Sequence, residues 1–231
     1  MNDIVSVVLG TKSDEDLKRD VVHELQWDPA VNESLVGVMV QSGVVTLTGH
    51  LENFAQKFAI ERAVSRVAGV RALAMELDVR LDPRHRRSDA EIASAAKQAL
   101  EWSALVAHEP LQVQVEKGWL TLKGTVRWNY QRESAAKAVR NLLGVTGFTN
   151  AVVLDPMVQP HQVSDRISQA LTRQVQREVQ RIQVEVAGAV VTLKGQVHSL
   201  AERQAAEGAT WSAPGVREVV NELQVRPIPA L

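Results

Sequence analysis

The sequence predicts an α+β fold of three tandem αββαβ modules, each a small mixed three-stranded sheet with two helices on one face. The first observation behind this prediction is a repeated spacing, in which the glycine of a Thr-Leu-x-Gly run is followed twenty residues later by a second glycine. The second is that the surrounding apolar residues alternate, as in strands, or recur at helical intervals. The predicted modules cover residues 11–82, 83–158 and 159–227. The paired glycines are Gly49 and Gly69, Gly124 and Gly144, and Gly195 and Gly215.

A helix is predicted to open each module. Ser13 precedes Asp16 by three residues, and Ser88 precedes Glu91 by three, which is the spacing of a capping box. Apolar residues then recur every four residues, so each helix has one apolar stripe. The stripes are Leu17, Val21 and Leu25 in the first copy, Ile92, Ala96 and Leu100 in the second, and Ile167, Leu171 and Val175 in the third.

A β-hairpin is predicted next, because two runs of alternating apolar residues flank a short turn. Ser42-Gly43 and Lys117-Gly118 favour a type I′ turn, whereas Gly188-Ala189 has glycine first, as in type II′. The glycines of the Thr-Leu-x-Gly runs are expected to end the second strand. The inward residues of the second strands are Val45, Leu47 and Leu51, then Leu120, Leu122 and Val126, and then Val191, Leu193 and Val197.

The twenty-residue interval between the glycines predicts a second helix, and a third strand follows it. Gly69, Gly144 and Gly215 are expected to end these helices as C-terminal caps. Alternating segments at 73–79, 148–154 and 219–225 then close the modules. All six glycines are thus predicted to have structural roles.

These residues resemble the BON domain, a family named for bacterial osmotically inducible and nodulation-related proteins. Residues 214–225 read Pro-Gly-Val-Arg-Glu-Val-Val-Asn-Glu-Leu-Gln-Val and match the family pattern most closely. The second copy keeps Gly144, Val145 and Asn150, whereas the first has Ala68 before its glycine and Met75 at the asparagine position. The resemblance implies a phospholipid- or envelope-associated binding module, usually exported, that acts in osmotic and membrane stress. It implies no catalytic residues.

The composition excludes several kinds of chemistry. The chain has 26 basic and 27 acidic residues, so its net charge of -1 does not favour nucleic acid. It has no cysteine, which excludes disulfides and thiol catalysis. The histidines show no metal-ligand spacing, so we expect no metal, no cofactor and no enzymatic activity. Residues 1–10 show no export signal, which predicts a cytoplasmic protein, or a periplasmic one if a leader was trimmed or missed.

Aromatic and basic residues in and before the second copy are the candidates for binding anionic phospholipid. Trp102, like Trp27 in the first copy, follows a predicted helix and is expected to close the end of a core; the alternative is contact with a membrane interface. A basic linker of Arg84, Arg86 and Arg87 precedes this copy. The other lipid or partner candidates are Trp119, Arg127, Trp128, Tyr130, Arg132 and Lys137.

Four aromatic residues lie off the predicted core faces. Trp119 is on the strand face away from the helices, where packing by a module or subunit, an external ligand and simple exposure are all open. Phe54, Phe58 and Trp211 are expected to contact a neighbouring module or another copy of the chain. The sequence therefore predicts a non-enzymatic stress protein that binds anionic phospholipid, or alternatively a scaffold that forms an oligomer through these aromatics and its open sheet faces.

Overall fold

The computed structural model describes residues 12–155, 182–213 and 215–226. Within this part, the order helix, strand, strand, helix, strand is confirmed for modules 1 and 2. The predicted first helix of module 3 lies outside the described residues. Module 1 comprises α1 (Asp14–Trp27), β1 (Val36–Gln41), β2 (Val44–Leu51), α2 (Ala55–Arg66) and β3 (Ala72–Val79). Module 2 comprises α3 (Asp89–Glu101), β4 (Leu111–Glu116), β5 (Trp119–Val126), α4 (Asn129–Val139) and β6 (Gly147–Leu154). The described part of module 3 comprises β7 (Ile182–Ala187), β8 (Val190–Val197), α5 (Leu200–Trp211) and β9 (Glu218–Val225).

Each module has a mixed three-stranded sheet, as predicted. The first two strands form an antiparallel hairpin, and the third strand pairs in parallel with the second. A parallel pair needs a crossover connection, which the second helix of the module supplies. Both helices of modules 1 and 2 pack on the sheet face that carries Val45 and Leu47, or Leu120 and Leu122, and all four side chains are fully buried. Burial of each such side chain stabilises the fold by about 1.5–3 kcal/mol.

The first helix is attached to the hairpin turn by an aspartate. The Asp14 carboxylate accepts hydrogen bonds from the backbone N–H groups of Ser42 and Gly43 at 2.7 and 3.0 Å. Asp89 accepts the corresponding bonds from Lys117 and Gly118, both at 2.8 Å. Ser42 and Lys117 have φ of 51° and 52°, as the predicted type I′ turns require. The start of the first helix therefore lies beside the turn, and its end lies at the opposite end of the module.

The hairpin glycines permit a close approach between the second strand and the residue before the first strand, and the prediction that they end the second strand is wrong. Gly49 has φ of 125°, and a Cβ there would lie 2.1 Å from the carbonyl oxygen of Leu35. It is the last residue of β2 that pairs with β1, but β2 continues to Leu51 because it still pairs with β3. Gly124 and Gly195 have the same backbone geometry, with φ of 138° and 131°.

The prediction that Gly69, Gly144 and Gly215 cap the second helices is also wrong. Helix α2 ends at Arg66, so Gly69 lies in the following turn rather than at the cap. Gly144 and Gly215 likewise follow the ends of α4 and α5 by several residues. All three keep a positive φ, of 102°, 90° and 91°, where the chain turns toward the third strand.

The modules contact each other through their second helices. Phe54 and Phe58, at the start of α2, pack into the core of module 2, and Phe54 is only 8% exposed. Leu200, the first residue of α5, packs against the core of module 1. Arg132 of α4 stacks on the ring of Trp211 of α5, with 5.1 Å from the guanidinium carbon to the ring centroid. Each second helix thus contacts at least one other module.

Candidate binding surfaces of the second module

One end of module 2 gathers four of the predicted lipid-binding residues. Helix α3 begins at the hairpin turn, so Trp102, which follows its last residue, lies at the far end of the module. Strand β5 also starts at the turn and ends at Val126, which places Arg127, Trp128 and Tyr130 at the same end. We call these four residues the distal end.

A buried glutamine holds the backbone of the distal end in place. Gln131 is 7% exposed, and its Oε1 accepts from the backbone N–H groups of Arg127 and Trp128 at 3.1 and 3.0 Å. Its Nε2 donates to Glu109 at 2.7 Å, which links the loop after α3 to the start of α4. Gln131 was not among the predicted site residues, although Gln56 and Glu202 at equivalent positions accept the same backbone bond from Glu52 and His198.

The expectation that Trp27 and Trp102 close the ends of their cores is wrong. Their side chains are 79% and 82% exposed. The cores are closed instead by Val31 and Val106, which lie in the loops after the helices and are 8% and 3% exposed. These valines occupy equivalent positions in the two copies, a signal that was present in the sequence. Because both indoles lie in solvent, they are available for an external contact.

A groove of about 540 Å³ lies between α4 and α5. Tyr130, Arg132 and Lys137 line one side, and Trp211 lines the other. Glu133 and Glu207 also line it, so its charges balance. The sequence could not place Trp211 beside Arg132, because their contact depends on how modules 2 and 3 dock.

The basic linker is largely occupied by its own contacts. Arg84 forms two hydrogen bonds to Asp82, at 3.1 and 3.0 Å, and these are the main reason that the pKa of this carboxyl lies below its ordinary value. Arg87 donates to the backbone carbonyls of Arg84 and Arg86 at 3.0 and 2.7 Å. Among these three arginines, Arg86 alone has a side chain with no hydrogen bond or ion pair in the described residues.

Phe54, Phe58 and Trp211 were predicted to contact a neighbouring module or another chain, and all three contact other modules. The Phe58 ring also lies 4.1 Å from the guanidinium carbon of Arg140 in module 2. Trp119 differs from them because it stays 52% exposed on the open sheet face. Trp119 starts β5 at the hairpin turn, whereas the distal end lies beyond the last residue of β5, so Trp119 belongs to a different surface.

Other kinds of site find little support in the described part of the chain. Across residues 12–155, 182–213 and 215–226, no three His, Asp or Glu side chains are grouped so that they could hold a metal ion. None of the helices there is both long enough and apolar enough to cross a membrane.

The chain is similar to several known proteins. Two structures of CdsD, a structural protein of the type III secretion system of Chlamydia trachomatis, are 17% and 16% identical to the chain, with a TM-score of 0.26 each. The matches cover 92% and 94% of this chain, and 93% and 100% of the CdsD chains. Osmotically-inducible protein Y of Escherichia coli (strain K12) is 24% identical over 205 residues, which are 85% of this chain and 96% of that protein. The family model of the BON domain matches residues 13–80, 88–156 and 161–227. The chain therefore belongs to the BON domain family, with three tandem copies of the domain.

Proposed function

We propose that this chain is a non-enzymatic binding protein of the osmotic stress response that associates peripherally with anionic phospholipid through the distal end of module 2. The observation that carries the proposal is the exposure of Trp102 and Tyr130, at 82% and 53%, at the same end of the module as the exposed cation Arg127. The name of the Escherichia coli relative and the family support the stress role.

The distal end combines amphipathic aromatic side chains with a cation. The aromatic side chains suit the headgroup region of a membrane, and the cation suits its anionic charge. Trp and Tyr side chains are amphipathic and favour the headgroup region, where the ring is partly buried and its polar atom stays hydrated. Arg127 has no acidic partner in the described residues, and neither has Lys137 further along α4. Each such cation near an anionic surface contributes about 1 kcal/mol of attraction.

Module 1 lacks this combination at the equivalent positions. Trp27 matches Trp102, but Glu52 and Asn53 stand where module 2 has Arg127 and Trp128, and Ala55 stands in place of Tyr130. An anionic surface would repel Glu52. Module 2 is therefore the lipid-facing module in this proposal, and module 1 supplies an internal comparison.

Vesicle flotation tests the proposal. The full chain should float with vesicles of equal parts phosphatidylcholine and phosphatidylglycerol, and it should stay in the soluble fraction with phosphatidylcholine alone. Binding should weaken as salt rises, because the Debye length falls from about 10 Å at 0.1 M to about 3 Å at 1 M.

A pair of charge variants separates the distal end from the overall charge. Arg127→Gln with Lys137→Gln should lose most of the flotation, since Arg127 is the cation of the distal end and Lys137 is a second cation on α4 without an acidic partner in the described residues. Lys18→Gln with Lys123→Gln removes the same charge from α1 and from the open face of β5, and it should bind like the wild type. Equal loss in both pairs, or no flotation of the wild type, would reject the proposal.

A further inference from the structure

The open sheet face of module 2 carries an aromatic side chain that the phospholipid proposal does not use. Trp119 is the first residue of β5 and pairs across the sheet with Glu116 of β4 and Gly147 of β6. The indole N–H donates to the hydroxyl of Thr149 at 2.9 Å, two residues along β6. The ring therefore extends along β6 from Gly147 to Thr149 and is held in one orientation.

Gly147 makes this arrangement possible. A Cβ at position 147 would lie 2.2 to 2.6 Å from three carbons of the indole, so the ring occupies the space that any side chain would fill. The ring covers the glycine on one side, as aromatics do across strand pairs, and it remains 52% exposed on the other. The result is a fixed ring whose outer face meets solvent.

The pairing of tryptophan with glycine occurs only in module 2. Val44 and Ala72 are the equivalent pair in module 1, and Val190 and Glu218 are the pair in module 3. The same sheet thus forms with valine at this position, so the fold does not require the tryptophan.

Polar side chains surround the exposed ring. A depression of about 340 Å³ beside it is lined by Gln114, Glu116, Lys117, Thr121 and Thr146. The Glu116 carboxylate has no hydrogen bond or ion pair in the described residues, and it lies directly across the strand pair from Trp119. Amide, hydroxyl, carboxylate and ammonium groups therefore lie around a flat apolar surface.

We propose that this face of module 2 binds an oligosaccharide of neutral pyranose units. A pyranose has one face of C–H groups, whose slightly positive hydrogens complement the negative face of an indole. Its rim of hydroxyls needs acceptors and donors, which Glu116, Gln114 and Thr121 supply. A nucleic acid would offer a planar base to the ring, but Glu116 balances the charge of Lys117, so the depression has no net positive charge for its phosphates.

Titration calorimetry of the full chain tests the proposal, with hexasaccharides of β-1,4-linked N-acetylglucosamine and of β-1,4-linked glucose as probes. Trp119→Val is the main variant, because valine stands at this position in the other two modules and should fold. We expect it to raise the Kd for the bound hexasaccharide at least tenfold. Trp119→Phe should fall between wild type and Trp119→Val, since a smaller ring stays but the hydrogen bond to Thr149 is lost.

Two controls separate this site from the phospholipid surface. Trp102→Val should leave hexasaccharide binding unchanged, and Trp119→Val should leave vesicle flotation unchanged. Failure of the vesicle experiment would therefore not affect the oligosaccharide result, and the reverse also holds.

Three outcomes would overturn the proposal. The first is that the wild type binds neither hexasaccharide at millimolar concentration. The second is that Trp119→Val binds as tightly as the wild type. The third is that an oligothymidylate binds in a Trp119-dependent manner while the hexasaccharides do not. That result would show that the Trp119 ring binds nucleobases.

Discussion

The guanidinium carbon of Arg140 in module 2 lies 4.1 Å from the centroid of the Phe58 ring in module 1. Phe58 is itself edge-on to Phe54, with 5.2 Å between the ring centroids and an interplanar angle of 88°. This group of three side chains joins the two modules. Module 1 thus supplies side chains to the core of module 2, and we expect the stability of module 2 to depend on them.

Phe54→Ala should lower the free energy of unfolding of the full chain by about 3 kcal/mol, because it leaves a cavity in the core of module 2. The amide protons of Leu120 and Leu122, in β5 of the other module, should exchange faster in this variant. Urea denaturation and hydrogen exchange measure the two effects. Phe54→Leu is the matched control and should cost under about 1.5 kcal/mol. Unchanged exchange in module 2 would contradict the coupling.

Two glycine-to-alanine changes should have opposite effects on the free energy of unfolding. Gly49→Ala places a Cβ 2.1 Å from the Leu35 carbonyl oxygen at a φ of 125°, and it should destabilise the chain by roughly 3 kcal/mol or more. Gly208 lies within α5 with open space around it, so Gly208→Ala should stabilise by about 0.5–1 kcal/mol. Equilibrium denaturation in urea gives both values. A neutral Gly49→Ala would show that Gly49 and the Leu35 carbonyl do not approach as closely as described.

The capping box of α3 should make stability depend on acid pH. The backbone N–H of Ser88 donates to Glu91 at 2.8 Å, and this bond, with a second from the Ser88 hydroxyl, lowers the pKa of the Glu91 carboxyl below 4.5. A carboxyl with a lowered pKa in the folded state stabilises the fold above its unfolded pKa, and this stabilisation is lost as pH falls through the folded value.

Glu91→Gln should therefore cost stability at neutral pH and cost progressively less as pH falls below 4.5. Ser88→Ala keeps the backbone donor but loses the hydroxyl, so its pH dependence should lie between those of the wild type and Glu91→Gln. Thermal unfolding across an acid pH series is the measurement. A pH-independent difference between Glu91→Gln and the wild type would be the contrary result.

Two equivalent tryptophans should differ in their effect on vesicle binding. Trp102→Ala should weaken binding to phosphatidylglycerol vesicles about tenfold, because it removes an exposed indole from the end of the module that carries Arg127. Trp27→Ala should have little effect, because Glu52 stands at the position equivalent to Arg127. Neither change should alter the free energy of unfolding by more than about 0.5 kcal/mol, since both indoles are largely exposed. Equal losses of binding would mean that module 2 has no special role.

Much of each module could be predicted because its signals are local. The four-residue intervals of Leu17, Val21 and Leu25 correspond to one buried helical stripe, and the alternation of Val45 and Leu47 corresponds to the buried face of a strand. The positive φ of Ser42 follows from the two-residue turn before β2. Such patterns depend on backbone geometry that repeats every few residues, so they can be read along the chain.

The incorrect predictions concern residues whose local sequence is compatible with two different structures. A tryptophan at a helix end is able either to close a core or to stay in solvent, and Val106 took the core position instead of Trp102. The glycine of the Thr-Leu-x-Gly run marks where β2 separates from β1, but β2 continues because β3 still pairs with it. Both outcomes depend on neighbours that are distant in sequence.

The sequence by itself determined the repeat, the order of elements in each module, the inward faces of the strands and the residues on which a binding surface could be built. Tertiary structure decided which of those residues contact each other. It buried Phe54 in another module, stacked Arg132 on Trp211, and placed Trp119 and the distal end at opposite ends of β5. The physical reason is that periodicity records which side of an element is apolar, whereas contacts between modules depend on side-chain shapes from segments far apart in the chain.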